Sequence, residues 1–204
     1  MQEQFSRSAG VLMPVSSLPG PYGIGTFGKR AYEFVDNLVK ARQKYWQVLP
    51  LGPTSFGDSP YASFSAFAGN PYFIDLDMLI EEGLLTKEFV DSKRWNIEDQ
   101  YVDYGLVYNS RFEVLRVAYE NSNHKELNEY KEFFTENEFW LEDYSLYRAC
   151  KDKYEGRPWS EWDKEIKFRE AETVGAFKEE LKDDMDFYKF IQFKFNEQWC
   201  KLKK

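Results

Sequence analysis

The sequence predicts an α/β protein that opens as a partial barrel with a parallel sheet and continues as a mainly helical chain. Two apolar runs of strand length, residues 9–15 and 46–51, flank an amphipathic helical pattern, and strand, helix and strand in that order make a βαβ unit with a right-handed crossover. Beyond Leu76 the strand signals stop, and apolar residues recur at helical spacing to the end of the chain. Two unusual Gly- and Pro-rich loops leave the strand ends, which is where parallel α/β folds build ligand sites.

Taken in order, the run at 9–15 leads into SSLPGPYGIG, where Gly20, Gly23 and Gly25 permit tight turns. Ala31, Phe34, Val35, Leu38 and Val39 then fall on one helical face, so a helix is predicted over 29–44. The second strand, 46–51, opens into a long aperiodic segment that reaches Leu76. Loops of that length inside a domain are usually functional or disordered. Disordered segments are poor in aromatics, whereas this one carries Phe56, Tyr61, Phe64, Phe67 and Tyr72, so function is the better reading. Rigid aromatic faces beside small hydroxyl and carboxylate groups suit a ligand with apolar ring faces and many hydroxyls, such as a sugar.

Further on, Phe112, Leu115 and Tyr119 mark one helical stripe, and Trp140, Tyr144 and Tyr147 a second. Phe187, Phe190, Ile191, Phe195, Trp199 and Leu202 mark a third. Between the last two lies RPWSEWDKEIKFRE, rich in Trp and charge and without a clear period. With 18 Phe, 14 Tyr and 6 Trp against 43% hydrophobic residues in all, the core must be largely aromatic.

A formal charge of -8 and a pI near 4.9 argue against nucleic acid, whose binding relies on Lys and Arg at phosphates. The opening MQEQFSRSAG has no apolar core of a signal peptide, and no run is long and apolar enough to span a membrane. A soluble, cytoplasmic protein with no membrane partner is expected. Cys150 and Cys200 show no metal-binding spacing and read as reduced thiols. No metal is expected, and no nucleotide-cradling motif follows a strand. The single histidine, His124, sits in the polar stretch NSNHKEL and is expected to be exposed. Asp58, Asp75 and Asp77 lie near the proposed site, but their spacing selects no nucleophile and acid pair. Asp58 could bind sugar hydroxyls or cap its own GDSP turn, and the sequence leaves both open.

At these same residues the chain resembles the amylomaltases, bacterial 4-α-glucanotransferases also called disproportionating enzymes. The matching runs are GVLMPVSSLPGPYGIG, YWQVLPLGPT, GDSPYASFSAFAGNPYFIDL, VDYGLVY and WLEDYSLY. The resemblance implies a (β/α)8 barrel whose first two strands are followed by a large, mainly helical insertion. It also implies transfer of α-1,4-glucan segments between maltooligosaccharides by a retaining route without a cofactor. Carried over by position, Tyr61 matches a tyrosine that stacks on the sugar next to the scissile bond, and Ser59 a neighbouring donor-site serine. Phe56 and Tyr108 match an aromatic pair in a second glucan groove, with Phe56 standing where the family's residue is tyrosine. The family's catalytic carboxylates fall beyond Lys204, so no catalytic residue is assigned here.

The expected organisation is a barrel start at 1–55, a helical insertion with the glucan-binding loop at 56–185, and a helix leading back to the barrel at 186–204. Two parallel strands can neither cover both faces nor satisfy their edges, so the chain is expected to be the N-terminal part of a longer enzyme, with the rest of the barrel as its partner. The rivals are a non-catalytic α-glucan-binding module and a different barrel glycosidase.

Overall fold

A computed structural model describes residues 7–98 and 100–204; residues 1–6, the start of the expected barrel segment, and Asp99 lie outside the described residues. Strand β1 (Gly10–Leu12) pairs in parallel with β2 (Tyr45–Gln47), with Gly10 opposite Tyr45 and Leu12 opposite Gln47. Gly10 is required there, because a Cβ would collide with the Tyr45 backbone and side chain. The ladder gains one bond at each end, Lys44 N–H to the Ala9 carbonyl and Met13 N–H to that of Gln47. It stops well short of the predicted 9–15 and 46–51. Pro14, which has no N–H to give, starts a 3-10 turn at Val15–Ser17, and Pro50 likewise removes a donor beyond the other strand.

Helix α1 (Lys29–Lys40) buries Ala31 and Leu38, and the Phe34 ring meets Trp46 of β2 at 5.0 Å. It ends four residues before the predicted 44. Arg42 takes a left-handed conformation at φ 56°, so that Gln43 N–H reaches back to the Leu38 carbonyl at 2.9 Å. This is the closure that glycine normally provides. Leu12, Val39 and Tyr45 are exposed.

Among the described residues every further element is helical: α2 (Leu76–Glu81), α3 (Lys87–Asp91), α4 (Tyr104–Glu120), α5 (Asn128–Lys153), α6 (Lys164–Lys167), α7 (Ala171–Glu180) and α8 (Lys182–Leu202). The result is mostly helical with a two-stranded parallel sheet. Contacts divide the chain into one unit of 1–118 with 195–204 and a second of 119–194.

In the first unit Phe27 is fully buried against Phe73, Phe195 and Trp199. Asp75 caps α2 through Met78 N–H and also accepts from the Thr26 hydroxyl at 2.6 Å. Its backbone is held on both sides by buried Gln198, which accepts from Asp75 N–H at 2.6 Å and donates to the Asp75 carbonyl at 3.1 Å. Arg111, also fully buried, lies over the Trp95 ring and donates to the Ile74 carbonyl at 2.8 Å. Of the stripe read from Phe112, Leu115 and Tyr119, Leu115 and Tyr119 are buried and Phe112 is half-buried, and Val107, Arg111, Val114 and Ala118 are buried with them.

The second unit packs α5, α6, α7 and part of α8 around Leu146, Ala149, Cys150, Trp162, Ile166 and Met185. A second cluster forms from Tyr130, Phe133, Leu141 and Phe193. RPWSEWDKEIKFRE resolves into a 3-10 turn at Trp159–Glu161 followed by α6. His124 is not exposed as expected. It is 3% accessible, because a 3-10 turn at His124–Glu126 folds the ring among Tyr119, Tyr130 and Phe190 at 4.7 to 5.5 Å. Burial lowers its pKa from 6.5 to about 4. Both cysteines are free thiols.

Candidate functional site

The long loop after β2 is pinned at two levels. Its neck closes where Asn70 N–H donates to the Leu51 carbonyl at 2.8 Å, and Thr54 and Ser63 form an antiparallel bridge higher up. Between them the tip turns sharply, with Gly57 at φ 88° and Asp58 at φ 51°. Asp58 N–H returns to the Ser55 carbonyl at 3.0 Å, and Ala62 N–H to that of Ser59 at 3.0 Å. Asn and Asp tolerate left-handed conformations better than bulky residues do, which suits Asp58 to this corner.

On that framework the aromatic side chains point out. Phe56 is 103% exposed and Tyr61 75% exposed, so neither packs the loop. Ser59 is also exposed, its hydroxyl accepting a long 3.4 Å bond from Tyr61 N–H. The Asp58 carboxylate accepts from the Thr54 hydroxyl at 3.1 Å, a side-chain bond within the loop and not a cap on the backbone of the GDSP turn. A carboxylate accepts several bonds, so this one keeps capacity for further donors.

Asp58 also lines a recess with Thr54, Pro60, Asn70 and Tyr104, below the ends of the two strands. Its volume of about 30 Å³ holds one or two waters and is far below the few hundred Å³ of a ligand pocket. Tyr108 sits one turn along α4 from Tyr104. It is 45% exposed and packs its ring on Phe112 at 4.9 Å, so it is not a core residue. Tyr104 was missed by sequence reasoning. It stands four residues before Tyr108 in VDYGLVY, and burial together with the nearby Asp58 charge raises its pKa.

The other two aspartates turn out to be structural. Asp75 is buried and fixes the α2 cap, and Asp77 accepts from the Tyr22 hydroxyl. Among the described residues no cluster of His, Cys, Asp and Glu could hold a metal ion, and no helix is long and apolar enough to cross a membrane.

A family model described as 4-alpha-glucanotransferase matches residues 13–204. The chain belongs to the 4-alpha-glucanotransferase family. It is similar to the 4-alpha-glucanotransferases of Clostridium butyricum, at 52% identity over 191 residues, and of Thermus thermophilus, at 42% over 204. These alignments take in 94% and 98% of this chain but 39% and 40% of the relatives, so the chain spans about two fifths of their length. Among solved structures it resembles the amylomaltase of Streptococcus agalactiae in complex with acarbose, with a TM-score of 0.91 and 40% identity over 97% of this chain and 40% of that one. An amylomaltase from Corynebacterium glutamicum shares the fold at a TM-score of 0.69 and 16% identity, over 96% of this chain and 28% of that one.

Proposed function

We propose that this chain is the N-terminal part of a 4-α-glucanotransferase that moves α-1,4-glucan segments onto an acceptor glucan or glucose by a retaining route. In this reading residues 1–55 begin a (β/α)8 barrel, 56–185 form its helical insertion with the glucan-binding loop, and 186–204 lead back to the barrel. Later strands supply the catalytic carboxylates. Family membership and the coverage of about two fifths of each relative support the assignment, and the relative solved with acarbose supports maltooligosaccharides as the ligand class.

The observation that carries the site is the pair of exposed rings on a doubly pinned loop at the strand ends. A loop that holds Tyr61 and Phe56 in water gains nothing from their burial, so its rigidity serves to present them. Tyr61 would stack on the sugar at the reacting centre, and Ser59 and Asp58 would take hydroxyls beside it. Phe56 and Tyr108 would carry a more remote part of a long glucan.

The test is to incubate the 204-residue chain with maltotriose and follow released glucose. No transfer or hydrolysis is expected, because a retaining route needs a pair of carboxyl groups roughly 5 Å apart and none is assigned here. Activity that survives repurification would overturn the division of labour. Binding of maltoheptaose by the protein of the relatives' length, with no transfer, would favour the non-catalytic module instead.

A further inference from the structure

The helical unit contains a second feature that the loop site does not explain. Between α5, the 3-10 turn at Trp159–Glu161, α6 and α7 lies a cavity of about 140 Å³. Leu146, Cys150, Ile166 and Val174 form its aliphatic and thiol walls, and Tyr147, Trp159 and Trp162 its aromatic ones. Lys167 and Arg169 complete the lining.

The walls are held in place. Trp162 is buried, stacks on Tyr154 at 5.3 Å and 13°, and donates its indole N–H to the Arg157 carbonyl at 3.2 Å. Trp159 follows Pro158 directly and leaves 57% of its surface exposed. Arg169 sits at φ 57°, just past the end of α6, and pairs with Asp143 at 2.7 Å on the open surface. The Lys167 ammonium donates to the Ser160 carbonyl at 2.7 Å, one of its three protons. Burial pushes the Cys150 thiol up to about 11, so the inner wall is uncharged.

Size, polarity and charge each narrow the occupant. An apolar cavity of roughly 150 Å³ takes up benzene, so the space here matches a single six-membered ring. Among the described residues lining it none is a carboxylate or a carboxamide. A sugar's hydroxyl protons would find few acceptors, and unpaired polar groups are costly to bury. The indole faces favour a flat ring, and the lining charge is cationic. We propose that this cavity binds a small single-ring aromatic carboxylate, its ring between Trp159 and the Ile166 and Val174 side chains and its carboxylate on Lys167. The site is independent of the glucan loop and of the function proposed for it.

The test is an NMR titration of the full chain with 3-phenylpropionate, reading the indole N–H resonances of Trp159 and Trp162. Both should shift saturably with a dissociation constant on the order of 1 mM. The uncharged 3-phenylpropanamide should bind about two- to fivefold more weakly, and Lys167→Gln should erase that difference. Trp159→Ala, at an exposed position that does not threaten folding, should weaken binding by up to about tenfold, read at Trp162. Failure of Trp162 to respond, equal affinity for acid and amide, or a stronger response to maltotriose would each overturn the assignment.

Discussion

His124 offers a test in which the sign, the size and the pH window all come from the structure. The ring is buried among Tyr119, Tyr130 and Phe190, its Nδ1 lies 2.7 Å from the Ser122 hydroxyl, and Nε2 is buried without a partner. Burial is the largest cause that lowers its pKa to about 4; of the charged groups that act on it, Lys125 and Lys194 lower it further and Asp186 opposes them. Between pH 6.5 and 4 the unfolded chain thus binds a proton that the folded chain refuses. Stability is full above about pH 6.5 and falls as pH drops. The whole loss is about 3 kcal/mol, at about 1.4 kcal/mol per pKa unit, of which about 2 kcal/mol is already gone at pH 5. His124→Phe keeps an aromatic of similar size in the box and removes the titration. Urea denaturation read by tryptophan fluorescence should find the variant close to the parent at pH 7.5 and about 2 kcal/mol more stable than it at pH 5. As the chain has one histidine, its ring protons can be followed directly by NMR and should titrate near pH 4. A midpoint near 6.5, with equal pH dependence for both proteins, would show the ring to be solvated and refute the argument.

Replacing Gln198 with Leu should destabilise the protein by about 2 to 6 kcal/mol, since the buried N–H and carbonyl of Asp75 would each lose a partner at about 1 to 3 kcal/mol; equilibrium denaturation checks this, and a change below about 0.5 kcal/mol would show that water replaces the amide. The exposed Leu12, Val39 and Tyr45, with a sheet of only two strands among the described residues, should make the 204-residue chain dimeric or prone to aggregation. Size-exclusion chromatography with light scattering tests this, and a monodisperse monomer with a sharp melt would favour a self-contained domain.

Much of this was legible in the sequence because it was written in short-range pattern. The βαβ start, the helical remainder and the exposed aromatic loop all follow from periodicity and turn residues within a few positions of one another. Strand length was over-read because apolar character persists past Pro14 and Pro50, while the ladder depends on donors those prolines lack. Helix α1 was over-read because Arg42 closes it in a role that sequence normally assigns to glycine. His124 and Arg111 were missed for a different reason. Their polar neighbours suggest exposure, but Phe190, 66 residues from His124, and Ile74, 37 residues from Arg111, are what bury and pair them. At the loop, residue type alone could not separate Asp58 as a cap from Asp58 as a ligand group. In the structure the Asp58 carboxylate bonds the Thr54 hydroxyl, a partner that neither alternative named.

The central claim is that Tyr61 presents its ring to a glucan and is not there to pack the loop. The measurement that tests it most directly pairs melting temperature with maltotriose transfer kinetics on purified wild type, Tyr61→Phe and Tyr61→Ala, in the protein of the relatives' length. Tyr61→Phe should keep the stacking and lose one hydroxyl contact worth about 0.5 to 1.5 kcal/mol. Tyr61→Ala should lose the platform too, at about 1 to 3 kcal/mol by analogy with base stacking. Its transfer efficiency should then fall by roughly tenfold to two-thousandfold, while its melting temperature barely moves because a ring 75% exposed contributes little burial. A lowered melting temperature with unchanged kinetics per folded Tyr61→Ala molecule would contradict the account.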